Sequence, residues 1–337
     1  TVSSMASAWA AADAAAPSPA APPGRVHLLF LLRDGLPHAE LWREFLAAAP
    51  EGSWAAWAHC TDHDACERSD SMRLFKLETV PTVHSAWSDD LVSPFVEMLR
   101  AASKQAGPLP TIEKFVLVSD STLPVKPFSE VFSTLTSTAS SDVCYNSPNQ
   151  WAHATIMGKA YVLPKHWQWV VLNRTDAEKL ASGWVPVDHQ LHWNVTLPGG
   201  LTVPRTAFAD GSQATDEELV YQRIWGPIQL DFKNWLEPMV RFATRKCHTY
   251  LIFKSDLLQP YFRDPNSKDP RQSTSAKLLL DPETRMEGEF GYTHPVVFAR
   301  LGSASLAALR NSSYLFARKF PPAMELPGYA EKMFSAA

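Results

Sequence analysis

The chain has 337 residues, 45% of them hydrophobic, a formal net charge of −4 and no basic block. That length buries a large core, in one big α/β domain or two smaller ones. The charge argues against nucleic-acid binding by phosphate neutralisation, and no run of about eighteen apolar residues is present to span a membrane.

Residues 1–25 are rich in Ala, Pro and Ser, with one acid, Asp13. This is the composition of a linker or stem and builds no core. The sequence starts at Thr1 rather than Met, so an upstream segment is expected, either a membrane stem or a cleaved targeting segment. A protein partner is the expected means of holding such a tail in place.

Val26 to Leu32 reads as a buried strand, and Arg33-Asp34-Gly35 as a turn. Pro37 fits the first turn of a helix on which Leu41, Trp42, Phe45 and Leu46 recur at helical spacing. Trp54 to Ala58 suits a second strand. It leads into His59-Cys-Thr-Asp-His-Asp-Ala-Cys66. A helix follows Pro81–Trp87, and two starts fit it. Ser88 with Asp89 and Asp90 makes a cap and an acidic first turn. Ser93-Pro94 makes a later start that keeps Pro out of the helix interior. Leu91, Phe95 and Leu99 form its buried stripe either way.

Phe115 to Val118 is a continuous apolar run, which suits a central strand covered on both faces. Ser119, Asp120, Ser121 and Thr122 follow it. Polar side chains just past the carboxyl end of a buried strand sit where open α/β sheets bind ligands, although an ordinary polar turn has the same pattern. A helix is expected near Phe128 to Leu135. Strand and helix thus alternate through residue 135, which predicts an α/β fold with a mainly parallel, Rossmann-like sheet flanked by helices.

The second half is less regular. Tyr161–Val170 leads to a helix carrying Asn173-Arg-Thr-Asp-Ala177. Residues 183–213 read as a long loop or small hairpin, and residues 255–276 as another loop. Thr215-Asp216-Glu217-Glu218 has the form of a capping box. A helix near Ser303 to Arg310 and the segment Tyr314–Phe320 close the chain. Four cysteines, Cys60, Cys66, Cys144 and Cys247, form no Cys-x-x-Cys pair and do not read as a zinc site. Asn173, Asn194 and Asn311 head three Asn-x-Ser/Thr sequons; with an even cysteine count they point to a secretory compartment. Twelve Trp suit sugar-binding platforms, but Trp also fills cores.

Six segments together resemble one family. They are Leu29–Pro37 with Leu41-Trp42, Pro81–Trp87, Phe115–Pro124, Thr215-Asp216-Glu217, Trp167-Gln-Trp169 with Asn173-Arg174, and Leu315–Phe320. In order and rough spacing they resemble the core-2/I-branching β-1,6-N-acetylglucosaminyltransferases, and among these the plant and algal branch. The resemblance covers residues 26–321. It implies a GT-A glycosyltransferase fold, with a nucleotide-sugar half at 26–145, an acceptor and catalytic half at 146–321, and a tail at 322–337. It also implies an inverting transfer from a nucleotide-sugar, usually a UDP-sugar, to a glycan or glycoprotein acceptor, with no divalent metal and no other cofactor. The implied location is the Golgi lumen, as a type II membrane protein whose anchor is absent from this chain. An organelle-targeted protein with a cleaved leader is the alternative.

An inverting transfer needs a base for the acceptor hydroxyl and positive charge for the leaving diphosphate. The resemblance puts the base at Glu217, with Thr215 where the family has Pro. Glu218 is its rival in register, and acids in a helix first turn also simply offset the dipole. It puts the diphosphate on Lys319 and Arg285, with Arg300 as the alternative to Arg285. The bland reading of Arg318 and Lys319 is a solvated strand end. His59, Thr61, Ser85 and Trp87 match the nucleotide side, and Asp120 and Lys126 the acceptor side. Asp62-His-Asp64 is the only Asp-x-Asp in the chain; it comes too early in the sheet for a metal–diphosphate site and reads as a polar loop, bracketed by a Cys60–Cys66 disulfide. Two other readings stay open: a catalytically silent relative with a binding or structural role, and a metal-dependent transferase using Asp62 and Asp64.

Overall fold

The computed structural model describes residues 24–335, apart from 76, 87–89, 106–110, 146–151, 157–158, 165, 185–193, 197–201, 205–219, 221–223, 225–227, 230–246, 254–269 and 289–294. The first half alternates as expected: β1 (Gly24–Leu32), α1 (Ala39–Ala47), β2 (Trp54–Cys60), α2 (His63–Arg68), α3 (Asp70–Phe75), β3 (Glu78–Thr79), α4 (Val92–Ser103) and β4 (Ile112–Ser119). Then come β5 (Thr122–Pro124), α5 (Phe128–Thr136), β6 (Ala152–Ile156), β7 (Lys159–Leu163), β8 (Val171–Asn173) and α6 (Arg174–Gly183).

Five of these strands form one sheet in the order β3-β2-β1-β4-β8. β2 and β4 both run parallel to β1, β3 runs parallel to β2, and only β8 is antiparallel. β4, which contains Phe115–Val118, is therefore an interior strand. Side chains alternate between the two faces of a strand. Leu28, Phe30, Leu32, Val116 and Val118 pack on one side with Trp42 and Phe45 of α1. Leu29, Phe115 and Leu117 pack on the other with Phe95 and Leu99 of α4 and Leu180 of α6. Helices on both faces explain why the strands read as continuous apolar runs.

α4 starts between the two starts read from the sequence. Asp90 caps it: Oδ1 accepts from the Val92 and Ser93 N–H groups at 3.0 and 2.8 Å, and Oδ2 from the Ser93 hydroxyl. Pro94 then falls in the first turn, where no backbone bond is lost. α1 starts two residues after Pro37, beyond His38 in the left-handed region (φ 55°, ψ 31°).

The amino end of the sheet carries a buried polar cluster. His27 on β1 lies 3.0 Å from Glu113 on β4, and Arg174 at the start of α6 pairs with the other Glu113 oxygen. Arg174 thus ties the helix to the strand beneath it.

Beyond α6 the described elements are β9 (Asn194–Thr196), β10 (Thr202–Pro204), β11 (Ile228–Gln229), β12 (Thr249–Tyr250), α7 (Pro270–Leu280), β13 (Arg285–Glu287), β14 (Val297–Arg300), α8 (Ser303–Asn311), β15 (Phe316–Arg318) and α9 (Tyr329–Phe334). α7 corrects the loop expected over 255–276 at residues 270–276; residues 255–269 lie outside the described residues. Its proline opens the helix, where proline is tolerated, and Ala276 and Leu278 are buried. In segment 322–337, α9 buries Tyr329 and Met333 and sets Phe334 against Phe45 of α1. β15 joins a second small sheet, β12-β15-β5, and lies antiparallel to β5. Disulfides join Cys60 to Cys66 and Cys144 to Cys247. No helix among the described residues is long and apolar enough to cross a membrane.

Candidate functional site

The site is built where β4 ends. The Asp120 N–H donates to the Leu31 carbonyl of β1 at 3.3 Å, so the turn sits across the carboxyl ends of both strands. Ser119 and Thr122 close the turn: their hydroxyls lie 3.0 Å apart, and the Thr122 oxygen also accepts from the Ser119 N–H. The chain then leaves the main sheet as β5. Because β15 pairs with β5, Arg318 stands opposite Thr122. The Phe320 N–H donates to the Ser121 carbonyl at 2.9 Å. Residues 197 positions apart in the chain are thereby held at one point. The Arg318–Lys319 peptide bond is cis.

Arg318 is not a solvated strand end. Its guanidinium lies over the Trp169 ring, 3.9 Å from the centroid. Nη2 donates to the Ser121 hydroxyl at 3.3 Å, and Nε is buried without a hydrogen-bond partner among the described residues. Burial pushes its pKa down to about 9, opposed only in part by the Asp120 carboxylate. Lys319 is half-buried, and its ammonium has no hydrogen-bond or ion-pair partner among the described residues. Burial lowers its pKa and Arg318 lowers it further, while Asp120 acts the other way. Two partly desolvated cations thus share one carboxylate. Such charge is costly to bury unless something pairs with it. The arrangement is suited to an anion at the carboxyl edge of the sheet, where ligands of open α/β sheets bind.

Of the residues that the resemblance puts on the nucleotide side, His59, Thr61 and Ser85 lie on the same edge. The Thr61 N–H donates to the Leu32 carbonyl at 3.0 Å, and the Thr61 and Ser85 hydroxyls lie 2.8 Å apart. His59 is fully buried; its Nε2 accepts from the Val83 N–H at 3.0 Å, and its Nδ1 has no hydrogen-bond partner among the described residues. Burial lowers its pKa, which favours the neutral ring. Trp87 lies outside the described residues, as do Thr215, Glu217 and Glu218.

Of two other expected site residues, one is engaged by other groups and one is exposed. Lys126 is buried, with its ammonium on the Arg310 carbonyl near the end of α8 and 3.3 Å from Glu130. That makes it a tie between helices. Arg285 is exposed on the β13–β14 hairpin, opposite Arg300, and no described contact joins either to Lys319. Asp62 caps α2, accepting from the Ala65 N–H at 2.9 Å, and Asp64 lies in that helix's first turn. Among the described residues no group of three or more His, Cys, Asp or Glu side chains is placed to hold a metal ion. Asn173 caps α6 through its side-chain oxygen, and its amide donates to the Ala139 carbonyl at 2.9 Å. Asn194 lies on β9, and Asn311 ends α8.

Sequence reasoning missed the stacking of Arg318 on Trp169. Both residues fall inside segments that carry the family resemblance, but nothing in local pattern joins them. Compared with known proteins, the sequence matches no protein-family model and no curated protein.

Proposed function

We propose that this chain is an inverting glycosyltransferase of the GT-A type. It transfers a sugar from a nucleotide-sugar, of the UDP class, to a hydroxyl of a glycan or glycoprotein, without a divalent metal. The observation that carries the reading is the half-buried Lys319, unpaired among the described residues, beside Arg318 and Asp120, on the edge of the sheet that also bears Thr61 and Ser85. The sheet order, with β1 between two parallel neighbours, supports the fold.

In this reading the nucleotide lies along the carboxyl ends of β1 and β2, and Lys319 meets the diphosphate. Glu217 takes the proton of the acceptor hydroxyl as its oxygen attacks the anomeric carbon. The bond from that carbon to the diphosphate oxygen breaks on the opposite face, and its electron pair leaves with the nucleoside diphosphate. Negative charge grows on that leaving group, so a fixed cation there stabilises the transition state more than the ground state. Two disulfides suit an oxidising compartment, and we place the enzyme in the secretory lumen.

The test is release of nucleoside diphosphate from a panel of UDP-sugars, with EDTA present. Turnover of at least one donor is expected, and Lys319→Gln should lower it by roughly two to three powers of ten. Binding without turnover of any donor would favour the silent-relative reading. Activity lost with EDTA and restored by manganese would move the chemistry to Asp62 and Asp64.

A further inference from the structure

We propose that Arg318, and not Arg285, is the second cation of the anion seat, and that Trp169 is the residue that positions it. The proposal deepens the donor-diphosphate reading and rests on it.

Arg285 is exposed, with Arg300 as its cross-strand neighbour. A charge in that setting is screened by water and salt and contributes little to a bound anion. Arg318 adjoins Lys319 directly. Its planar group is held by the Trp169 face on one side and by Ser121 at one nitrogen. An arginine fixed in this way loses little freedom when it meets a phosphate, and its fork can give two parallel hydrogen bonds. Among the described residues its donors are also under-satisfied, with one side-chain bond made and a buried Nε–H left without an acceptor. The Arg318 charge is only partly offset, because Lys319 draws on the same Asp120 carboxylate. Arg318 keeps partial exposure to solvent, and an incoming phosphate compensates its charge from that side. The indole face adds attraction for the cation and sets the plane of the fork.

The experiment is calorimetric titration of UDP and of inorganic pyrophosphate into the purified chain, in EDTA. Wild type is expected to bind both. Arg318→Gln should weaken both by roughly 10- to 100-fold, the scale of a lost charge-assisted hydrogen bond. Arg285→Gln should stay within about twofold of wild type, as expected for an exposed charge. If Arg318→Gln does not fold, Arg318→Lys carries the test. It keeps the charge and loses the planar fork, and a several-fold loss is expected.

For Trp169 the readout is rescue and coupling. Trp169→Leu should lose about as much binding as Arg318→Gln, while Trp169→Phe, which keeps a ring, retains most of it. The double variant Trp169→Leu with Arg318→Gln should lose no more than either alone. Losses that add overturn the positioning role. Unchanged binding in Arg318→Gln, or a loss in Arg285→Gln as large as its own, overturns the assignment. Arg318-dependent binding of pyrophosphate without any binding of nucleotides would keep the anion seat and overturn the donor reading. UDP binding that ignores Arg318 would do the reverse, and binding of neither overturns both.

Discussion

Glu113→Gln probes how the amino end of the sheet is held. The His27 and Glu113 side chains are 0% and 2% exposed, and that of Arg174 is 24% exposed. The Trp57 indole N–H donates to His27 Nδ1 at 3.4 Å, so the proton of the neutral ring sits on Nε2 and is donated to Glu113. Burial lowers the His27 pKa and keeps that ring neutral, which leaves Arg174 as the charge partner of the carboxylate. For Glu113 burial alone would raise the pKa. The hydrogen bonds from His27 and Arg174, with the Arg174 charge, outweigh it and bring the pKa from the ordinary 4.5 to about 2. At about 1.4 kcal/mol for each tenfold change in proton affinity, that is on the order of 3 kcal/mol. Water around Arg174 screens part of it, so about 2–3 kcal/mol is expected at pH 7. The sign follows from the lowered pKa. The stabilisation is complete above pH 4.5 and is lost as pH falls towards 2. His27 acts in the same direction from pH 6.5 downwards, because the unfolded chain takes up its proton first. Urea denaturation of both proteins, followed by tryptophan fluorescence at several pH values, measures the gap. A difference at neutral pH under about 0.5 kcal/mol, the level of an ordinary surface substitution, would refute the reasoning. So would a gap that stays constant through the acid range.

Three further outcomes are expected. Asp90→Ala removes the cap of α4 and should cost about 1–2 kcal/mol in denaturant melts, with Asp90→Asn recovering most of it. Joint Cys144→Ser and Cys247→Ser replacement frees a loop spanning 103 residues and should cost up to about 5 kcal/mol by chain entropy; an unchanged Tm would show that this bond does not constrain the unfolded chain. Glu217→Gln should leave UDP binding near normal and lower transfer by roughly two to four powers of ten, while Glu218→Gln costs only about 1 kcal/mol of stability; the reverse pattern would put the base at Glu218.

Much of the framework is legible in local pattern. β1, β2 and β4 are apolar runs because helices cover both faces of the sheet, and burial demands apolar side chains wherever such a strand sits. The stripe of Phe95 and Leu99 follows from the helical period, and Asp120 from its place after a buried strand. α7 escaped detection because its first residues are polar and proline is read as a breaker, although at a helix start it costs nothing. What local pattern does not contain is the identity of partners far apart in the chain. Arg318 and Lys319 look like any basic strand end until β15 is laid against β5 and Trp169 is brought beneath the guanidinium. Lys126 looks like a ligand-binding lysine until the end of α8 is brought to its ammonium. The pairing of Cys144 with Cys247, and the joining of His27 to Glu113 and Arg174, arise in the same way. Periodicity records which face of an element is dry, and that is a property of one segment. The energy of a charge depends on what stands within a few ångströms of it, and that is decided only when separate segments pack together.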